Sequence, residues 1–142
     1  MAEFPEQIQA EVENINLTLN NLEITLDKEH KGVIEFAAIG TFLHNFYTGV
    51  EHIIKQTFRL HNLPLPDSET WHKDLLEKSL QENILSEITV EYLYKFLGFR
   101  HFFVHGYALM LNESKLLYLA EDVDRAWTMF LEDMRHYYRD RG

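Results

Sequence analysis

Residues 5–28 read PEQIQAEVENINLTLNNLEITLDK, and their spacing decides the fold class. Ile8, Val12, Ile15, Leu19, Leu22 and Leu26 recur at alternating steps of four and three, with mostly polar residues between them. That seam lies on one stripe of a helix and predicts a helix from Pro5 to Lys28, with Pro5 tolerated in its first turn. Three heptads within a chain of 142 residues read as one helix of a bundle rather than as a coiled coil.

Working outward, Gly32 breaks this pattern and a second one follows. Ile34, Ala38, Phe42, Phe46, Val50, Ile53 and Ile54 mark a helix from Val33 to Leu60, and Ala37, Ala38, Gly40 and Gly49 permit close approach of a neighbour. Glu51, His52 and Lys55 read as a partly exposed flank of it. Asn62 to Ser68 holds two prolines with Asp and Ser, so the helix cannot continue through it. Ser68 or Asp67 then caps a short helix marked by Trp71, Leu75, Leu76 and Leu80 and running to Gln81. Trp71 reads as a plug at one end of the bundle, and His72 as a surface or capping residue. Thr89 is the expected N-cap of a third long helix with Val90, Leu93, Phe96, Leu97 and Val104 at helical spacing. Gly106 suits its end or a kink, residues 108–119 read as an irregular or short helical connection, and a last helix is expected from Glu121 to Tyr138. Its inward positions are Val123, Ala126, Trp127, Phe130, Met134 and Tyr137. No stretch alternates with period two, so the expectation is a single all-α domain over residues 1–142. Its architecture is a four-helix up-and-down bundle with an additional short helix.

Composition narrows the function. Hydrophobic residues make up 46% and charged residues 25%, which is enough to build a core. There is no cysteine, which excludes disulfides and thiolate metal sites. No apolar run is long enough to cross a bilayer, and the first residues lack a secretion-signal pattern, so a cytoplasmic protein is expected. With 13 Lys+Arg against 23 Asp+Glu the net charge is −10, which argues against broad phosphate neutralisation of nucleic acid but allows one local basic site. Seven carboxylates fall between Met1 and His30, and they read as a solvated face.

Against that background, no Asp or Glu occurs from Tyr92 to Asn112, and this stretch holds Gly98-Phe99-Arg100-His101-Phe102-Phe103-Val104-His105-Gly106-Tyr107. His101 and His105 are four apart and share one face of a helix; Arg100 and Tyr107 share another. Arg100 and His105 are five apart and diverge on a straight helix. A common site therefore needs the helix to end near Gly106 or a second chain across a two-fold axis. The i, i+4 histidines have the spacing of a zinc face, but Phe102 stands where the zincin pattern has its glutamate, and no third ligand is near in sequence. Metal-free cleavage of RNA suits the residues better. A histidine moves protons near neutral pH, and an arginine binds phosphate and stabilises developing charge. A structural role, with Arg100 paired to a carboxylate and His105 capping a helix end, fits the spacing equally well.

Arg100, four intervening residues and His105, late in the third long helix, resemble the signature of the HEPN superfamily. Tyr107 extends it to the Arg-x4-His-x-Tyr form of HepT-type toxins. The segments from Phe46 to Lys55 and from Trp71 to Leu76, with Phe99-Arg100-His101, are similar to HepT-like proteins, so that the likeness spans residues 34–138. The resemblance implies a metal-independent ribonuclease, with no cofactor, acting as a homodimer whose Arg–His pairs meet in a shared cleft. Arg100 would bind the scissile phosphate and His105 would act as general acid and base. HepT toxins are encoded with an MNT-type nucleotidyltransferase antitoxin in a type VII-like toxin–antitoxin system. That partner AMPylates the motif tyrosine, here Tyr107, and the added phosphate charge would occlude an RNA site. Many HEPN proteins carry Asn or Asp after the arginine; here His101 stands there, which leaves open how His101 and His105 divide proton transfer. The RNA substrate is open too, tRNA being one candidate. The alternative is a non-catalytic HEPN bundle that binds a nucleotidyltransferase or a nucleotide.

Overall fold

In the computed structural model, which describes residues 3–105 and 113–141, five helices account for the regular structure of the described residues: α1 Glu6–Leu26, α2 Val33–Leu60, α3 Trp71–Gln81, α4 Glu87–Val104 and α5 Glu113–Arg141. The fold is all-α, with four long helices and the short α3 beside them, and no strand occurs among the described residues. The seam of α1 behaves as its spacing requires. Ile8, Val12, Ile15 and Leu22 are buried, with Leu19 and Leu26 packed against them.

α2 is the central element and touches all the others. Its buried stripe runs Ile39, Leu43, Phe46, Val50, Ile53, Ile54 and Phe58. The expected Ile34 is instead 79% exposed, because the first turn of α2 extends past its neighbours and the stripe begins one turn later. Gly49 lets α1 lie close: a Cβ there would come within 2.7 Å of Ile15 Cγ1. After Leu60 the chain turns through Asn62 in the left-handed region (φ 56°), and the Leu63 N–H donates to Phe58 O at 2.8 Å. α3 begins after Thr70 rather than after Ser68 or Asp67, and Leu80 ends up on its exposed side.

Two expected boundaries move. The N-cap of α4 is Ser86, whose Oγ accepts from the Thr89 N–H, while Asp133 of α5 accepts from the Ser86 N–H at 2.9 Å. Thr89 falls within the first turn and is buried. Ser86 wins because α5 supplies an acceptor for its otherwise unpaired N–H. α5 starts at Glu113, two turns before Glu121, since Leu116, Leu119 and Ala120 extend the same buried stripe as Val123, Trp127 and Phe130. Across the bundle, Trp127 Nε1–H donates to Asn16 Oδ1 at 2.9 Å, fixing α5 against α1. No helix among the described residues is long and apolar enough to cross a membrane.

Candidate functional site

α4 runs antiparallel along α2 with its last turns against the start of α2. Phe96 meets Phe46 edge-on, and Phe99 and Phe103 lie over Gly40, where a Cβ would come within 3.2 Å of the Phe103 ring. This packing decides where each polar residue of the last turn goes. Arg100 is half-buried, and its Nε is enclosed with no hydrogen-bond partner among the described residues. No carboxylate pairs with it there either. A guanidinium nitrogen enclosed without a partner is unfavourable, and an anion taken up by the group would relieve it.

On the facing side, α2 presents His44, Tyr47, Glu51 and Lys55 at steps of three and four. The His44 ring stacks on Phe103 with centroids 5.1 Å apart, and its Nδ1 is enclosed without a partner among the described residues. Burial, then the positive charge of Arg100, holds its pKa below the ordinary histidine value, so the ring is neutral at pH 7. Tyr47 is fully buried, and burial and the neighbouring Glu51 push its hydroxyl well above the ordinary tyrosine range. Glu51 is only 3% exposed, and its Oε2 lies 2.7 Å from Nδ1 of His72 on α3. With a carboxylate facing it, Nδ1–H is the donor. Lys55 rests its ammonium 3.9 Å from the centre of the Trp71 ring, and Trp71 in turn stacks on His72. Desolvation holds the Lys55 amine below its usual pKa, helped by the charges of Arg59 and Arg100 and opposed by Glu51.

These contacts revise two expectations and extend a third. Glu51 is a buried carboxylate rather than part of an exposed flank, because His72 satisfies it from another helix. His72 is thus the half-buried partner of a buried carboxylate rather than a cap or a free surface residue. Trp71, besides covering core residues, holds Lys55 in place. His44, Tyr47, Glu51 and Lys55 were not legible in the sequence as a group around Arg100. Their signal was a carboxylate standing in a stripe that also holds Tyr47, Ile54 and Phe58, where an unpaired acid is costly.

The histidines lie on the other side of α4. The rings of His101 and His105 are both exposed, with centroids 4.4 Å apart, as their spacing of four predicts. His105 is the C-cap of α4, and Val104, expected to be inward, is 48% exposed because the helix has already left the core there. No hydrogen bond or ion pair joins Arg100 to His105 among the described residues, so one chain brings His101 to His105 and leaves Arg100 with the α2 cluster. Tyr107 lies outside the described residues. No group of three or more His, Cys, Asp or Glu side chains able to hold a metal occurs among them.

Comparison with known proteins adds the family. No curated protein matches the chain. Among solved structures, the cytosolic protein of unknown function YutE from Bacillus subtilis superposes with a TM-score of 0.76 at 16% sequence identity, over 95% of this chain and 90% of that one. At that identity the likeness establishes a shared fold. The family model described as HepT-like protein matches residues 38–140, which runs from within α2 to the last turn of α5 and takes in the whole Arg100 cluster, and the chain therefore belongs to the HepT-like family.

Proposed function

We propose that the protein is the toxin of a HEPN/MNT-type toxin–antitoxin pair: a cytoplasmic, metal-independent ribonuclease with Arg100 and His105 at its centre. The observation that carries this reading is the Arg100 guanidinium, enclosed at Nε and without an anionic partner among the described residues, on the same last turns of α4 as the exposed His101 and His105. In the proposed reaction a ribose 2′-hydroxyl loses its proton to a histidine and attacks the adjacent phosphorus. Arg100 stabilises the charge on the phosphoryl oxygens, the 5′-oxygen leaves with a proton returned by an imidazole, and a cyclic phosphate remains. His105 is assigned the principal proton transfer, with His101 as the auxiliary. The shared cleft of a homodimer is the proposed setting, since Arg100 and His105 diverge within one chain. An MNT-type nucleotidyltransferase that AMPylates Tyr107 is the proposed antitoxin.

Purified protein, shown by intact mass to be unmodified, is incubated with total tRNA and mixed RNA, with and without EDTA. Arg100→Ala and His105→Ala run in parallel. Cleavage that survives EDTA and falls at least about 10²-fold in both variants is the expected result. An inactive wild type would leave the non-catalytic binding bundle in its place. Co-expression with an adjacent nucleotidyltransferase should add mass in multiples of AMP, lost in Tyr107→Phe.

A further inference from the structure

Two cavities on the flank of α2 share the same two cations. One, of about 300 Å³, has an apolar wall of Leu65, Pro66 and Trp71 and opens between Lys55 and Arg59. The other, of about 360 Å³, lies between the same two residues and Gln7, His52 and Gln56. Lys55 and Arg59 are four apart on α2, so they stand about 6 Å apart along the axis on one face. Acids outnumber bases 23 to 13 in this chain, yet among the described residues no carboxylate forms an ion pair with Lys55, Arg59 or Arg100. Glu51, whose charge acts on Lys55, is buried and engaged by His72. One acid lines each cavity, Asp67 in the first and Glu11 in the second, where His52 lies 3.4 Å from it. The positive charges also sense one another, since Arg59 and Arg100 both act on Lys55.

Three cations left unpaired among the described residues, on one face of an acidic protein, form a local field for a polyanion. We infer that this face, from Arg100 through Lys55 to Arg59, is a phosphodiester track that holds the nucleotides flanking the scissile bond of a single-stranded RNA. This rests on the ribonuclease reading for its substrate. RNA is favoured over an acidic protein segment for two reasons. The cations continue from Arg100, and the groove beside them has a wall of Trp71, Leu65 and Pro66 suited to a sugar and a base. Trp71 also holds the Lys55 ammonium at the junction of the two cavities, so the track is built before ligand arrives.

The probe is a fluorescent 2′-O-methyl RNA of about 12 nucleotides, which lacks the attacking hydroxyl and cannot be cleaved. Anisotropy titrations compare wild type with Lys55→Gln, Arg59→Gln, the double variant and the control Arg125→Gln, on α5 against Tyr92 of α4, across a salt series. Each track variant is expected to weaken binding several-fold and to reduce the salt slope by about 0.7 per charge removed. Lys55→Arg and Arg59→Lys should retain most of the binding, which separates charge from folding. Binding by Lys55→Gln and Arg59→Gln equal to that of wild type would overturn the track, as would absence of wild-type binding at about 50 mM salt. A poly-glutamate peptide that competes as well as the RNA would also overturn it and give the face to a protein partner. Cleavage is scored separately. Wild type that binds through the track but does not cut sinks the ribonuclease reading alone. Wild type that cuts, with unchanged kcat/KM in the double variant, sinks the track alone.

Discussion

Replacing Glu51 by glutamine keeps the shape of a buried side chain and removes its charge. The carboxylate side chain is 4% exposed and its partner His72 21%, so the 2.7 Å contact between them is shielded from water on most sides. Deleting one member of such a pair outright costs on the order of 3–5 kcal/mol. The substituted amide can still accept from Nδ1–H, so the expected loss is the difference between a charge-assisted and a neutral hydrogen bond, about 1–1.5 kcal/mol. For a domain of this size that lowers Tm by about 2–6 °C. His72→Gln should cost a similar amount. The double variant Glu51→Gln/His72→Gln replaces the pair by two amides, and its loss should fall short of the sum by about 1–2 kcal/mol. Urea unfolding of the four proteins at pH 7 measures that coupling. Additivity within about 0.5 kcal/mol would refute the argument that His72 is what keeps a carboxylate inside the bundle. A second readout follows from charge alone. Glu51 holds the Lys55 pKa up against desolvation and the charges of Arg59 and Arg100, so Glu51→Gln should lower it further and speed acylation of Lys55 at mildly alkaline pH, as read by mass spectrometry.

Two glycines should respond oppositely to alanine. Gly98, in α4 with nothing within 4 Å of where a Cβ would stand, should gain about 0.5–1 kcal/mol in urea unfolding, while Gly49→Ala, pressed on Ile15 at 2.7 Å, should lose about 1–3 kcal/mol. His44 has a folded pKa below its unfolded value, so the unfolded chain takes up the proton first as pH falls through about 6.5. Wild type should then lose more stability between pH 8 and 5 than His44→Gln does, measured by urea midpoints. Tyr47 is the alkaline counterpart: its raised pKa means that stability falls as pH rises past about 10, where the unfolded tyrosine ionises first. Tyr47→Phe should blunt that loss in thermal melts while changing stability by less than about 1 kcal/mol at pH 7, since the hydroxyl has no hydrogen-bond partner of good geometry among the described residues.

The parts of the fold that were legible are those set by local rules. A seam with polar residues on its other side can face only one way, so α1 was readable, and Pro64 and Pro66 ended α2 without ambiguity. Boundaries that depend on another helix were not. Ser86 and Thr89 are both competent caps, and Asp133, far along the chain, decides between them. The start of α5 was hidden because Leu116, Leu117, Tyr118 and Leu119 form a run in which the helical period is blurred. The site divides the same way. The motif spacing located Arg100, His101 and His105, and the i, i+4 meeting of the histidines followed from helix geometry. Glu51 and His72 were invisible because an acid and an imidazole on separate elements carry no local sign of each other, and because an acid in an apolar stripe usually turns outward.

Arg100 and His105 are about 140° apart around α4, and the structure leaves them on different sides of it, which turns the dimer proposal into a quantitative test. If each site takes its arginine from one protomer and its histidine from the other, Arg100→Ala and His105→Ala chains can complement one another. In a mixed dimer one site has lost both groups, and the other has both intact. Unfolding and refolding an equimolar mixture gives half mixed dimers by statistics, each with one working site of two, so about a quarter of wild-type activity should return. The alternative geometry pairs Arg100 with an imidazole of its own chain. His44 fits that role, being neutral at pH 7 and within the influence of the Arg100 charge. In that case His44→Gln is inactive, mixing adds nothing beyond what the His105→Ala chains already retain, and a monomer keeps its activity. Recovery near a quarter with His44→Gln still active would place the chemistry between two chains; no recovery would refute the shared cleft and move the proton carrier onto α2.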